Sequence, residues 1–352
     1  MNNDAARALH ERFLLQKEYL GENKLINNIT PLVSITIATY QQVNYIKNCL
    51  DGVLMQKTNF PFEIIVGEDG SIDGTQEICK EYAKKYPNKI RLFIRDRNLS
   101  QYTNIDGKTI RFNGIWNRMS SRGKYIAWCE GDDYWTDPLK LQKQIDILEK
   151  NSDIGCVYTK VKYFYDKEKL FKEEFGKDYI SFPNLLRRNV IPTLSVIFRT
   201  SLYNQYISEI KPENKDWKMG DYPLWLWLSY NSKLYFMNEI TGVYRVLPQS
   251  ASHELSRIKV LPFRINSIKI SLYFARLYSV PYEDIEAQLL WSQFEYACLS
   301  KDKKLILELN QQIKDCYRRS KNIRILILTL MRNTPTLFNF FLLVYRFFKK
   351  EN

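Results

Sequence analysis

Gly123-Lys-Tyr-Ile-Ala-Trp-Cys-Glu-Gly-Asp-Asp-Tyr-Trp135 is the stretch on which the reading of the fold turns. Lys124 to Cys129 is a short, largely apolar run of strand length that stops abruptly in Glu130, Asp132 and Asp133. Such a run reads as a strand buried on both faces. Three carboxylates within four residues repel one another, so the cluster is costly unless a cation stands among them. Oxygen-only ligands suit a hard ion such as Mg²⁺ or Mn²⁺, which takes one or two carboxylates and fills its shell with water or phosphate oxygens. Gly131 allows close backbone approach. The alternative is a solvated acidic turn before a helix beginning at Asp137-Pro138, where acids favour the N-terminal end.

Upstream, Val33 to Ala38 alternates apolar and small polar residues, and a 3.6-residue period follows through Ile46, Leu50, Val53 and Leu54. Phe62 to Val66 and Ile90 to Ile94 read as further strands, with a helix over Gln76 to Tyr86 between them. Strands alternating with helices predict a mostly parallel sheet covered on both faces. Ligands of such sheets bind beyond the carboxyl ends of the strands. The loops at Thr39-Tyr40, Glu68 to Gly74, Arg95 to Asn104 and Glu130 to Trp135 are therefore expected to converge on one site. In Glu68-Asp-Gly-Ser-Ile-Asp-Gly-Thr75, Asp69 stands at a strand end, where an Asp can accept hydrogen bonds from a nucleobase imide or a ribose, while Asp73 or Thr75 reads as a cap of the next helix. After Asn151 the pattern loosens into short strands at 155–158, 195–199, 233–237 and 242–246, and from about Leu255 it is helical almost to the end.

With 352 residues the chain exceeds what one core of ~150 residues needs. Being 45% hydrophobic and 26% charged, it is neither disordered nor low in complexity. Its six cysteines show no CxxC spacing and read as small buried hydrophobes, which fits a reducing cytoplasm. Two histidines, His10 and His253, exclude a His-rich metal site. The first twenty residues lack the apolar core of a signal peptide, and no run of 18 uncharged apolar residues predicts a membrane span. Of the net charge of +13, the last 52 residues hold +8, twelve Lys and Arg against four Asp and Glu. There, Ile323 to Met331 and Thr336 to Phe348 are apolar runs broken by Arg324, Arg332, Pro335 and Arg346 and flanked by Arg318, Arg319, Lys321, Lys349 and Lys350. They suit an amphipathic anchor on an anionic membrane surface, the inner face of the cell membrane, or else helices that complete the core. A nucleic-acid-binding protein would instead carry its basic residues on the face bearing the aromatics, whereas these strand-end loops are acidic. No nucleic-acid partner is expected.

Ile35-Thr-Ile-Ala-Thr-Tyr40, Glu68 to Thr75 and Gly123 to Trp135, in this order, resemble the family 2 glycosyltransferases of bacterial cell-surface polysaccharide synthesis. The resemblance implies an α/β GT-A fold, a Rossmann-like, mostly parallel sheet flanked by helices, with a helical C-terminal extension. It divides the chain into an N-terminal helical segment (1–30), a catalytic domain (31–253, with a nucleotide-sugar half to 151 and an acceptor half from 152) and a helical region with a basic tail (254–352). Thr39, Tyr40 and Asp69, with Glu68 beside it, then hold the nucleoside. Arg97, or Arg95, assists the donor. Asp132 faces the diphosphate and Asp133 a Mn²⁺ or Mg²⁺ ion, with Glu130 and His253 as further candidate ligands. Glu130 stands where an Asp is commoner and faces either the metal or the sugar hydroxyls. Arg245 lies in a segment that returns to the diphosphate in some members. Asp221, in Trp217-Lys-Met-Gly-Asp-Tyr-Pro-Leu-Trp225, opens a helix and maps onto the catalytic base, its alternative role being an N-cap. Of Trp217, Tyr222, Trp225 and Trp227, half are expected in the core and the rest against a sugar.

The implied reaction is an inverting transfer from a nucleoside-diphosphate sugar, UDP-sugar favoured, to a saccharide or lipid-linked saccharide hydroxyl. A nucleotidyltransferase is the nearest competitor, but Ala38 to Val43 lacks its Gly-rich basic loop.

Overall fold

The computed structural model describes residues 3–21, 29–103, 107, 109–247, 256–319, 322–334, 336–338 and 341–342. They fall into two compact units. One comprises 1–181, 190–216 and 227–246, and the other 182–189, 217–226 and 247–352.

The first unit opens with α1 (Asn3–Phe13), then alternates β1 (Val33–Thr39), α2 (Ile46–Leu54), β2 (Phe62–Glu68), α3 (Thr75–Lys85) and β3 (Ile90–Ile94). A small ribbon, β4 (Gln101–Thr103) with β5 (Thr109–Arg111), leads to α4 (Asn113–Met119), β6 (Tyr125–Glu130), β7 (Tyr134–Trp135) and α5 (Lys140–Lys150). There follow the long hairpin β8 (Ile154–Tyr165) and β9 (Leu170–Phe175), then, after α6 (Phe182–Arg187) of the second unit, β10 (Ile197–Arg199) and α7 (Thr200–Ile210). Helix α8 (Asp221–Asn231) begins in the second unit and ends in the first, running into β11 (Lys233–Val246).

The nine-stranded sheet has the order β3-β2-β1-β6-β10-β8-β11-β7, with β9 on β8. Strands β3, β2, β1 and β6 are mutually parallel, β8 and β11 pair in parallel, and β10, β7 and β9 run against their neighbours. The parallel run expected from the first half of the sequence is thus present, in a sheet that is mixed as a whole, with four parallel and four antiparallel pairings among the described residues. Every residue of β2 is buried, because helices cover both faces of a sheet wound in this way. The core runs through Val33, Ile35, Ile37, Leu50, Val53, Ile64, Val66 and Leu92.

Where short strands were expected at 233–237 and 242–246, the chain forms one fourteen-residue strand. Asn238 to Gly242 carries turn-forming residues, yet it is absorbed as register shifts against β8. Buried Thr241 stabilises that irregularity: its hydroxyl pairs with Thr159 at 2.6 Å and its carbonyl accepts from Thr136 N–H at 2.9 Å. Similarly, α5 starts at Lys140 rather than at Asp137, because Asp137 Oδ1 accepts the Leu139 N–H and closes a turn first.

In the second unit, α9 (Arg257–Leu277), α10 (Glu283–Ser300), α11 (Lys303–Arg319) and α12 (Ile323–Met331) follow one another. Leu290, Phe294, Leu309, Ile313, Ile325, Leu328 and Phe338 form their common core. Among the described residues no helix is long and apolar enough to cross a membrane.

Candidate active site

Parallel register sets the strand ends side by side. Thr39 lies opposite Glu68, Glu68 opposite Ile94, and Ala38 opposite Glu130. The four loops singled out in the sequence therefore leave the sheet from one edge.

The first two loops are laced together. Gln41 N–H donates to Ser71 Oγ at 2.9 Å, Gln42 N–H to Thr75 Oγ1 at 2.8 Å, and Val43 N–H to Asp73 Oδ2 at 3.1 Å. Thr39 is buried and donates its hydroxyl to Gln42 Oε1 at 2.7 Å. Glu68 is also buried, and its carboxylate accepts from Ser71 N–H, Gly70 N–H and the Gln76 amide at 2.7, 3.3 and 3.0 Å. Glu68 thus shapes the turn, with Gly70 at φ +75 supplying the left-handed residue the turn needs.

Asp69 follows Glu68 and is 3% exposed. Its Oδ2 accepts from Arg97 Nη1 at 3.0 Å, and its Oδ1 accepts from the Ser100 hydroxyl. The Arg97 guanidinium lies 3.4 Å from the ring centre of half-exposed Tyr40. Burial raises the Asp69 carboxyl above its ordinary value, opposed by Ser100 and then by the arginine charges. Arg95, the other basic candidate, is buried beneath the sheet edge, where it donates to Asn117 Oδ1 at 2.7 Å and to Gln16 Oε1 at 2.8 Å. Of the two arginines, only Arg97 reaches Asp69 with a hydrogen bond. Ser100 was not singled out in the sequence; a serine in a loop carries no periodic or charge signal.

At the end of β6 a Cβ on Gly131 would stand 2.9 Å from Thr39 Cβ and would strike the Gln42 side chain. The close approach that demands glycine is therefore to the β1 loop. Asp133 is 2% exposed, and its Oδ1 accepts the Arg245 N–H at 2.7 Å. The Arg245 side chain turns back, donating Nε to the Asp132 carbonyl at 2.9 Å and placing Nη1 3.4 Å from Asp166. Its guanidinium lies over Tyr45 and beside Tyr134 and Phe164. Burial, then the charges of Asp132 and Glu130, push the Asp133 carboxyl well above the usual range. Asp132 is raised too, mainly by burial, and Arg245 and Gln42 oppose the shift.

No group of three or more His, Cys, Asp or Glu among the described residues forms a metal cluster. The donor set nevertheless fits a hard divalent cation, which needs only one or two carboxylates and whose charge would relieve the crowding at Asp132 and Asp133. Glu130 is half-buried at the same strand end. His253 lies outside the described residues.

Asp221 belongs to the second unit as the first residue of α8, half-buried, with Oδ1 accepting the Tyr222 N–H at 2.8 Å. Tyr222, Trp225 and Trp227 are buried core residues, while half-buried Trp217 packs edge-on against Tyr273, ring centres 5.4 Å apart.

The family model described as "Glycosyl transferase family 2" matches residues 34–209. The chain belongs to this family. An uncharacterised protein of Mycobacterium tuberculosis is 38% identical to this chain over 170 residues, 47% of this chain and 46% of that protein. The match thus spans about half the length of that curated relative. Bacillus subtilis TuaG, a glycosyltransferase named for teichuronic acid biosynthesis, is 26% identical over 64% of this chain and 84% of its own. Among solved structures, S. aureus TarS with UDP-GlcNAc aligns at TM-score 0.55 and 14% identity, covering 81% of this chain and 80% of its own. The mannosyltransferase PcManGT of Pyrobaculum calidifontis, with GDP-Man and Mn²⁺, aligns at 0.50 and 15%, covering 94% and 91%. The chain therefore has the GT-A fold of these proteins.

Proposed function

We propose that this glycosyltransferase transfers a sugar, with inversion, from a nucleoside-diphosphate sugar to a hydroxyl of a saccharide or lipid-linked saccharide in cell-surface polysaccharide or glycolipid synthesis. One observation carries the reading: parallel register sets Tyr40, Asp69 and Arg97 on the same sheet edge as Asp132 and Asp133. A nucleoside diphosphate has a flat, imide-bearing end and an anionic end, and these two groups match them in chemistry. In the reading, Asp69 accepts hydrogen bonds from the base or ribose, Tyr40 offers a ring face, and Arg97 moves between its ion pair with Asp69 and the donor. Thr39 and Glu68 hold these groups in place.

Asp133, with Asp132 and Glu130 beside it, would hold Mn²⁺ or Mg²⁺, which supplies positive charge against the departing diphosphate. Asp221 takes the proton of the acceptor hydroxyl as its oxygen bonds to the anomeric carbon and the bond from that carbon to the diphosphate breaks. One displacement with one base inverts the configuration, and a general base contributes roughly 10²–10⁴-fold. UDP is the favoured nucleotide, supported by the UDP-GlcNAc bound to TarS, with GDP the alternative suggested by PcManGT. The cell-surface role draws on TuaG. Hydrolysis of a panel of UDP- and GDP-sugars with and without Mn²⁺ tests the reading, and no turnover of any donor in either condition would overturn it.

Attachment to the inner face of an anionic membrane forms part of the same proposal. Helix α12 buries Ile325 and Leu328 in the core of its unit, yet exposes Ile323, Leu326 and Leu330 beside Arg324. Both expected roles of this segment therefore have residues that suit them, on opposite faces.

A further inference from the structure

Helix α1 lies ahead of the stretch that matches the family, yet within the first unit it packs against the loop that carries Arg97. The helix is held in place by its buried Leu9, which packs with Phe112 and Trp116 and whose carbonyl accepts the Trp116 Nε1–H at 3.0 Å. One turn on, half-buried Arg12 reaches into the loop after β3. Its Nη1 donates to the Gln101 carbonyl at 2.6 Å and lies 3.4 Å from the carbonyls of Asn98 and Leu99. Three carbonyl oxygens gathered at one point repel one another, and a guanidinium charge among them removes that cost through charge-assisted hydrogen bonds. These carbonyls flank Ser100. The Ser100 N–H donates to the Asp96 carbonyl at 2.9 Å and its own carbonyl accepts the Phe112 N–H at 2.7 Å, while its hydroxyl donates to Asp69 Oδ1. Arg97 meets the other Asp69 oxygen at 3.0 Å. The loop therefore makes two sets of contacts, backbone carbonyls to Arg12 and side chains to Asp69. Gln16, four residues after Arg12, holds the start of the same loop by accepting from Arg95 Nη2 at 2.8 Å.

We infer that Arg12 is a positioning residue of the donor site: by gathering the carbonyls of Asn98, Leu99 and Gln101 it fixes the loop that sets Arg97 and Ser100 on Asp69. The inference rests on the reading of Asp69 and Arg97 as donor-binding groups, but the hold of Arg12 on the loop does not. A loop ordered in advance spares the conformational entropy that binding would otherwise cost. Removing the guanidinium should therefore weaken donor binding while every side chain of the donor site stays in the protein.

Calorimetric titration of the full chain with UDP in the presence of Mn²⁺, together with amide hydrogen exchange, tests it. Arg12→Met keeps an unbranched apolar stem but neither charge nor donor. It should raise the UDP Kd at least threefold and speed exchange of the Leu99 and Ser100 N–H groups at least tenfold, with β1 and β2 exchanging as before. Arg12→Lys, whose ammonium offers three N–H donors on one nitrogen, should recover most of the affinity, a difference that packing of the stem alone does not produce. Added to Arg97→Ala, Arg12→Met should cost a smaller factor than it does alone, because one of the groups it positions is gone. Unchanged UDP affinity in Arg12→Met, equal losses in the Met and Lys variants, or the same factor in both backgrounds overturns the inference. Failure of UDP to bind the unaltered protein would instead count against the donor reading. Exchange at Leu99 and Ser100 then still decides whether Arg12 holds the loop, and unchanged rates in Arg12→Met would overturn that hold.

Discussion

The Asp133 carboxylate accepts a 2.7 Å hydrogen bond from the backbone N–H of Arg245, a residue 112 positions further along the chain. The same arginine returns its Nε to the carbonyl of Asp132. The acidic strand end is therefore clamped by β11, which orients one carboxylate oxygen and leaves the Asp133 side chain crowded by Asp132 and Glu130.

That crowding predicts the response to a divalent cation. Asp133→Asn keeps an oxygen able to accept the Arg245 N–H but removes the charge. Turnover should fall at least 100-fold while the melting temperature of the metal-free protein stays within a few degrees. EDTA should inactivate the unaltered enzyme, and Mn²⁺ should restore it. Transfer at the untreated rate after EDTA would refute the metal role.

Arg97 and Asp69 should behave as a coupled pair in donor binding. Hydrogen bonds to charged groups contribute about 1.5–3 kcal/mol, so Arg97→Ala should raise the donor KM roughly ten- to 100-fold with kcat little changed. Asp69 adds a pH dependence whose sign follows from its raised carboxyl pKa. A carboxyl raised on folding binds more protons in the folded state, so its contribution to stability is greatest in acid and falls as pH rises from 3.8 through the folded value. The stability of the unaltered protein relative to Asp69→Asn should therefore decline with pH over that window in denaturant titrations. A rising difference would contradict burial as the dominant cause.

Asp221→Asn separates base from cap. A base predicts a kcat loss of about two to four orders of magnitude with donor affinity nearly unchanged. A cap predicts a stability loss of about 1 kcal/mol with little change in kcat. Single-turnover rates and denaturant curves on one preparation distinguish them.

Gly131→Ala tests the packing of the strand end. The new methyl would meet the buried Thr39 side chain at 2.9 Å as well as that of Gln42. Overpacking of this kind costs roughly 1–3 kcal/mol. The denaturation midpoint should fall accordingly, with donor affinity falling alongside it because the β1 loop must shift.

For membrane attachment, removing α12 is a poor test because Ile325 and Leu328 would leave the core. Leu326→Gln/Leu330→Gln alters only its exposed side. The unaltered chain should pellet with vesicles containing anionic lipid, and this double variant should pellet at least severalfold less. Equal pelleting, or indifference to anionic lipid, would assign the helix to the core alone.

The amino-acid sequence by itself determined the alternation of strands and helices, the parallel sheet and the acids at its carboxyl edge. These signals are local: periods of 2 and 3.6 residues, and charges placed where an apolar run stops. Only the tertiary structure distinguishes the surroundings of Arg95 and Arg97, two residues apart and alike in chemistry, one buried against Asn117 and Gln16 and the other paired with Asp69. It also turned the Glu68 carboxylate into its own loop, merged two expected strands around Thr241, and brought Arg245 to Asp133. Each of these depends on which groups are desolvated together, and that is set by strand register and packing across tens of residues, where no local period reaches.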